Sequence, residues 1–387
     1  MRRKAFSSSI VILVLALCVN LVGCVPKTDS SSATTLSEET SSVQTTQTAT
    51  SEETSAAASE TTQETTAETT QVPASVRDYF PLTPDVFYDY AGTGNEFVPM
   101  TAYVEYVWPD MIQMVYDNGG TEFHTLYSVR DGQVRVLYDI SELYARQDLT
   151  KEPLLNDGEI LLQEPLEVGT SWLVGVETRT ITGVDVSVDT PAGTFSAIEV
   201  TGESEDAVTK KYYAEGIGYI KMTVTGQGYE ITQELQDTRQ YAEKIYKMDF
   251  YYPRMTDTDI EIMYKNISVP FMTNENLSDV LTDYFQMPVA EDLAPVMGQN
   301  SSVNSVRLDP ATNIVTIDLS ANYVAELNVG ASMEGAVLRC LVNTVASAYG
   351  VQDVIVTLDG AMYESGHIAL APGETFKCDY EGVIELP

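Results

Sequence analysis

Few side chains in this 387-residue sequence are suited to nucleophilic or metal chemistry. The two histidines and four cysteines are His124, His367, Cys18, Cys24, Cys340 and Cys378. No cysteine pair has C-x-x-C spacing, and neither histidine has a Cys, Asp or Glu at ligand spacing. G-x-S-x-G, phosphate-loop and H-E-x-x-H motifs are absent. We therefore expect a non-enzymatic protein without metal or cofactor, although 57 acidic residues leave a carboxylate pair for glycoside cleavage open.

Cys24 lies where a different chemistry is predicted. The chain opens with Arg2, Arg3 and Lys4, and an unbroken apolar run covers residues 10–19. This run is about ten residues, whereas a membrane-spanning helix needs roughly 20, so it predicts an export signal. The next residues, Leu21-Val22-Gly23-Cys24, resemble the lipobox of bacterial lipoproteins. The resemblance implies cleavage between Gly23 and Cys24 and lipid on the Cys24 thiol, which would anchor residues 24 onward to the outer face of the membrane. The alternative is an ordinary signal peptide with a chance cysteine.

Residues 25–75 have the composition of a tether. Of these 51 residues 25 are Ser or Thr, none is aromatic, and one Lys faces eight acidic residues. Such a segment cannot bury enough apolar surface to offset its chain entropy, so we expect disorder over residues 24–77. A flexible coil of this length reaches roughly 40 Å on average. It would hold a folded body away from the membrane, or serve only as a passive spacer.

The body of the chain is strongly acidic. The formal charge is −36 overall and −32 in residues 76–387. Phosphate-rich partners would be repelled, so we expect no nucleic acid partner. The body keeps two cysteines, Cys340 and Cys378, which could form a disulfide outside the cytoplasm or remain two free thiols.

Residues 78–240 read as an antiparallel β-domain. Short β-rich runs such as "AYVEYVW", "FHTLYSV" and "QVRVLYDI" are separated by turn signals, of which Asp131-Gly132 is the clearest hairpin turn. The stretch "TPAGTFSAIEV" with "KKYYAEGIGYIKM" resembles the closing strands of LolA-like half-barrel lipoprotein domains. That resemblance implies either an apolar ligand in a concave face or an inert envelope module.

Residues 244–371 alternate strands with helices. In "NENLSDVLTDYF" the apolar residues from Leu277 to Phe285 share one helical face, with Thr273 or Asn274 as a cap. A second helix is predicted over 333–349, with Ser332 as a cap and Gly350 as its stop. The order strand, helix, strand, strand, helix, strand predicts helices packed on a small mixed sheet. The fold class expected for the whole chain is therefore α+β.

This second region resembles the GerMN domain of germination and sporulation proteins. The resemblance rests on "MDFYYP", "SVRLDPATNIVTIDLSANYV" and "LRCLVNTVASAYGVQDVIVTLDG", and on the spacing from Asn343-Thr344 through Gly350-Val351 to Asp359-Gly360. It covers residues 244–371 and leaves 372–387 as a carboxy-terminal tail. Such domains are similar to ring-building modules of the cell envelope, which implies protein contacts rather than chemistry.

Two functions follow from these patterns. The first is a lipid-anchored envelope protein whose GerMN module docks envelope proteins or peptidoglycan, as a monomer or an oligomer, in sporulation, germination or vegetative growth. The second is a carrier lipoprotein that binds an apolar molecule in the β-domain. A large apolar cavity within residues 78–238 would favour the carrier.

The lipid on Cys24 is open to a direct test. Replacing Cys24 with Ala removes the thiol to which the lipid would be joined, so we expect the protein to leave the membrane fraction or to remain unprocessed. Fractionation and mass spectrometry of the amino terminus measure both outcomes. A Cys24→Ala protein that is processed and membrane-bound as before would contradict the prediction.

Overall fold

A computed structural model describes residues 74–95 and 98–387 of the chain. The predicted signal, Gly23, Cys24 and the tether up to residue 73 lie outside the described residues. Residues 74–387 form one compact unit. Among the described residues, no helix has both the length and the apolar character needed to cross a membrane.

Twelve strands of the described part of the chain form one large antiparallel sheet, as the turn signals predict. They are β1 Phe87–Thr93, β2 Met100–Val107, β3 Met111–Asp117, β4 Glu122–Arg130, β5 Gln133–Ser141, β6 Ile160–Gln163, β7 Ser171–Val174, β8 Glu177–Thr190, β9 Gly193–Glu203, β10 Ala207–Ala214, β11 Gly218–Gly226 and β12 Tyr229–Arg239. The order from edge to edge is β6 to β1 and then β12 to β7, so two six-stranded meanders join where β1 pairs with β12. At the predicted hairpin, Asp131 and Gly132 both have positive φ, as a type I′ turn requires.

The large sheet curls until its two edge strands meet. The indole nitrogen of Trp172 on β7 donates to the carbonyl oxygen of Ile160 on β6, at 3.0 Å. Arg179 on β8 donates to the same carbonyl at 3.2 Å and forms an ion pair with Glu159 at 2.5 Å. Both charged side chains are about nine-tenths buried or more. The edges are therefore joined by a buried ion pair and by hydrogen bonds rather than by a strand ladder.

Side chains fill the inner face of the curled sheet. A contiguous cluster of buried residues includes Tyr88, Tyr90, Trp172, Ile198 and Tyr213. A short helix, α1 (Val76–Tyr79), contributes to the same cluster, and Ser75 caps it by accepting from the backbone N–H of Arg77. The alternation of inward apolar and outward polar residues places these side chains inside.

The remaining described residues build two smaller sheets and three helices. The strands are β13 Lys244–Met255, β14 Ile260–Phe271, β15 Val303–Asp309, β16 Ile314–Leu319, β17 Asp353–Leu358, β18 Ala361–Met362, β19 Phe376–Lys377 and β20 Ile384–Glu385. The helices are α2 Leu277–Gln286, α3 Tyr323–Leu327 and α4 Ala331–Tyr349, and a 3-10 turn covers Leu149–Lys151. One sheet has the order β13-β14-β20, and the other has the order β15-β16-β17-β18 with β19 also paired to β17.

The helices lie near their predicted positions, but their starts differ. Asn276 rather than Thr273 or Asn274 precedes α2, because Asn274 has positive φ and its side chain instead accepts from the N–H of Val107. Gly330 rather than Ser332 precedes α4. Gly350 ends α4 in the left-handed region, as expected, since only a residue without Cβ adopts that conformation freely.

The α+β prediction fits the structure only loosely, because strands dominate throughout the described residues. β15 and β16 pair antiparallel and β16 and β17 parallel, so the second small sheet is mixed. The long helix α4, however, packs chiefly against β13 of the other small sheet. Its buried residues occupy nearly its whole circumference over 337–346. A helix enclosed on several sides shows no simple apolar stripe in sequence.

The closure of the large sheet predicts a large difference between two basic residues. Arg179→Met would leave the Glu159 carboxylate buried without its closest partner, so we expect a loss of about 3 kcal/mol in unfolding free energy. Lys210→Met removes a partly exposed ion pair with Glu199 on the same sheet, and its expected cost is below about 1 kcal/mol. Urea unfolding measures both. Equal losses in the two variants would show that the Arg179 pair does not close the sheet.

Candidate functional site

The two histidines are the first residues to locate, because they are the side chains best suited to acid and base chemistry near neutral pH. His124 lies on β4 and is fully buried. Its Nδ1 lies 2.9 Å from Oε2 of Glu105, and its Nε2 lies 2.9 Å from the carbonyl oxygen of Leu143. Glu105 is also fully buried and lies on β2, where the register with β3 shifts between Val104 and Tyr106. A bulge of this kind turns a side chain away from the regular alternation.

Glu105 is the centre of a larger buried cluster. Its Oε2 also accepts from the amide of Gln113 at 2.8 Å, and its Oε1 accepts from the hydroxyl of Tyr246 at 2.5 Å. Arg146 has a guanidinium nitrogen 3.9 Å from the same carboxylate and stacks over the rings of Tyr106 and Phe271. We call these residues, Glu105, Gln113, His124, Arg146 and Tyr246, the polar joint. The first four belong to the region of the large sheet, and Tyr246 lies on β13, so the joint ties the two parts of the chain together.

The hydrogen bonds of the polar joint define its charges. A carbonyl oxygen only accepts, so Nε2 of His124 donates to Leu143, and Nδ1 faces the carboxylate of Glu105. An imidazolium against an ionised Glu105 satisfies every contact. Burial by itself raises the pKa of Glu105, but the charges of His124 and Arg146 and the hydrogen bonds of His124 and Tyr246 outweigh it and lower the pKa to about 2. With both histidine nitrogens bonded and the ring buried, His124 has a structural role.

His367 belongs to a second glutamate cluster. Its Nδ1 lies 2.6 Å from Oε2 of Glu334 near the start of α4, and the hydroxyl of Tyr363 donates to Oε1 of the same carboxylate at 2.8 Å. Burial raises the pKa of Glu334, but hydrogen bonds from Ser365, His367 and Tyr363 outweigh it and lower the pKa. The cluster fastens the loop after β18 to α4. Among the described residues, no group of three or more His, Cys, Asp or Glu side chains is arranged to hold a metal ion.

The two cysteines of the body are free thiols in the structure. Cys340 lies on α4 in the core, where burial raises the pKa of its thiol. Cys378 follows β19, and its Sγ lies 3.8 Å from the carbonyl oxygen of Val351. The disulfide between them stays a prediction.

The predicted tail, residues 372–387, contains two short strands. β19 pairs with β17, and β20 pairs in parallel with β14. Between them the chain crosses α4, where the amide of Asn343 donates to the carbonyl oxygen of Asp379 at 2.6 Å and accepts from its N–H at 2.8 Å. Arg339, one turn earlier on α4, donates to the carbonyl oxygens of Asp379 and Glu381. We call residues 376–387 the arm.

Sequence reasoning missed the partners in each of these clusters. Glu105 lies 19 residues before His124, and Glu334 lies 33 residues before His367, so ligand spacing does not reveal them. The one available signal was Glu105 itself, a charged residue in the apolar run "AYVEYVW". A charge inside an otherwise buried strand needs a buried partner.

Comparison with known families finds one match, in the carboxy-terminal part of the chain. The model of the Germane family, described as "Sporulation and spore germination", matches residues 249–364. This match confirms the resemblance found in the sequence. No curated protein matches the chain significantly.

Three solved structures illustrate the similarities found. An exported protein with a YmcC-like fold from Bacteroides fragilis is 14% identical, with 42% of this chain and 99% of that chain covered and a TM-score of 0.28. A lipoprotein from Clostridium perfringens is 19% identical, with 34% and 87% covered and a TM-score of 0.22. A lipoprotein from Parabacteroides distasonis is 14% identical, with 42% and 98% covered and a TM-score of 0.25.

The polar joint predicts how stability depends on pH. The pKa of Glu105 is about 2 in the folded chain and ordinarily 4.5, so its contribution is complete above about pH 4.5 and is lost as the pH falls toward 2. We expect Glu105→Gln to lower the unfolding free energy by about 3 kcal/mol at pH 7 and by progressively less below pH 4.5. Urea unfolding between pH 7 and pH 3 measures the difference. Glu205→Gln, at an exposed site, is the control, and a Glu105→Gln deficit that stays constant with pH would contradict the assignment.

Proposed function

We propose that this chain is a lipid-anchored protein of the bacterial cell envelope that acts by docking, because residues 249–364 match the Germane family model. Its Germane domain would bind envelope proteins or peptidoglycan outside the cytoplasm. The family description favours a setting in sporulation or spore germination. The match of the Germane domain is the observation that carries the proposal.

The proposed anchor is the lipid on Cys24. The basic start, the short apolar run and Leu21-Val22-Gly23-Cys24 support export followed by attachment to the outer face of the membrane. Residues 25–75 would then span the distance between the membrane and the folded body. A docking module on such a tether samples a volume whose radius is set by the tether length.

The packing supports a Germane domain that is carried on a rigid platform. One hydrophobic cluster contains Leu126, Leu137 and Leu149 from the region of the large sheet together with Phe250 and Leu341. The polar joint adds a buried ionic tie between β2 and β13. A partner that binds the Germane domain would therefore meet a surface whose orientation is fixed relative to the large sheet.

The chemistry of the described residues supports binding rather than catalysis. Both histidines and their glutamates are engaged in bonds that hold the fold, and His124 has no exposed surface. The charge of −32 on residues 76–387 disfavours nucleic acid as a partner. The side chains that fill the large sheet do not favour the alternative of an apolar cargo.

Photo-cross-linking in living cells tests the docking proposal. A photoreactive amino acid at Met255 or Met287, which are exposed on the Germane domain, should give adducts with envelope proteins or peptidoglycan. The same group at Val168 or Val176, exposed on the large sheet region, is the matched control and should give few adducts. Adducts should also decline when Cys24 is replaced by Ala. Equal yields from the two surfaces, or none from the Germane positions, would contradict the proposal.

A further inference from the structure

The surface beneath the arm has the properties of a peptide-binding groove. Its floor is α4 and its far wall is the edge of β14. The side chain of Asn343 is fully buried. Its amide donates to the C=O of Asp379 and accepts from the N–H of the same residue. One donor and one acceptor of this buried amide are satisfied by the backbone of a single residue, and leaving them unpaired in a buried site would be costly.

Further contacts along the groove are also hydrogen bonds with backbone groups of the arm. Arg339 donates to two carbonyl oxygens of the arm, and the N–H of Leu386 donates to the carbonyl oxygen of Tyr264 on β14 at 2.8 Å. The ammonium of Lys265 donates to the carbonyl oxygen of Pro387 at 3.1 Å. Backbone contacts supply affinity in strand addition, and side-chain pockets supply selectivity.

The apolar side chains of the arm supply that selectivity. Phe376, Val383 and Leu386 are partly buried against the core that α4 shares with the small sheets. The ring of Tyr380 lies 5.7 Å from that of Tyr251 on β13. The groove is therefore complementary to the sequence of this arm and not only to an extended chain.

The arm is attached through a segment with few long-range bonds. Residues 371–374 are exposed. Within this turn the N–H of Ala371 donates to the carboxylate of Glu374 at 2.7 Å, and the N–H of Glu374 donates to the carbonyl oxygen of Ala371 at 3.0 Å. Gly373 has positive φ and open space around it. The arm could thus be redirected by rotation within this turn, and an identical arm would make the same contacts from another molecule.

We propose that the groove between α4 and β14 is an exchangeable peptide-binding site whose occupant in trans is the arm of a second copy of this chain. When the arm of a second molecule replaces the chain's own arm, each contact is replaced by an identical one. The equilibrium between monomers and arm-exchanged dimers therefore depends on the local protein concentration. The arm would exchange in this way whether or not Cys24 carries lipid, and without any other docking partner.

A nicked protein tests whether the groove binds peptide reversibly. The chain from Val25 onward retains every residue that the structure describes, and a protease site inserted between Pro372 and Gly373 cuts it while both cores remain intact. Under reducing conditions, a fluorescent peptide of residues 374–387 should replace the cleaved arm and show saturable anisotropy. Asn343→Ala should weaken binding at least tenfold, and Ser332→Ala, exposed on the same helix, should leave it unchanged. A cut arm that never exchanges, or equal binding to Asn343→Ala, would overturn the proposal.

Cross-linking of the uncut chain tests the occupant. A photoreactive amino acid at Tyr380 should give covalent dimers whose yield rises with protein concentration. The dimers should disappear in the Asn343→Ala variant and persist in Ser332→Ala, with circular dichroism confirming that each variant is folded. Peptide binding without concentration-dependent dimers would show that a second copy is not the occupant. Dimers that persist in Asn343→Ala would show that they form at another surface.

Discussion

The arrangement of the described chain depends on one buried carboxylate. Glu105 has no access to water, and an ionised group in that environment is tolerated only when opposite charges and hydrogen bonds surround it. Its partners come from β3, β4, the segment after β5 and β13. None of these elements can move away alone without leaving a charge or a polar atom unpaired. The position of β13 relative to the large sheet is therefore fixed by electrostatics as well as by apolar packing.

A second organising element, α4, builds on that fixed strand. Thr344 accepts from the N–H of Tyr251 on β13 at 3.1 Å, while its neighbour Asn343 points toward the arm. In the sequence, Asn343-Thr344 is distinctive only as part of the spacing typical of GerMN domains. The structure gives it a physical meaning, because each residue satisfies backbone groups of a different element. Two consecutive helical residues lie about 100° apart around the axis, so they can serve two neighbours at once.

Sequence reasoning succeeded where the determining interactions are local. The turn at Asp131-Gly132, the helix from Leu277 and the stop at Gly350 each follow from neighbouring residues and their backbone preferences. It failed where residues distant in the chain decide the outcome. The closure of the large sheet by Arg179, the bulge that aims Glu105 and the position of α4 between two sheets all depend on tertiary contacts. The helix starts were also misplaced, because Asn274 is used in a contact with β2 rather than as a cap.

The free energy needed to open the polar joint differs from the free energy needed to release the arm. Opening the polar joint would leave Glu105, His124 and Arg146 without their partners at the same time. We therefore expect it to open only when the whole unit unfolds. Releasing the arm would free mainly backbone hydrogen bonds and a few half-buried apolar side chains, and its groups would then reach water. Regions with few buried contacts open at lower free energy than cores do. The same chain thus combines a core that holds its parts in one orientation with an edge at which contacts can be remade with another molecule.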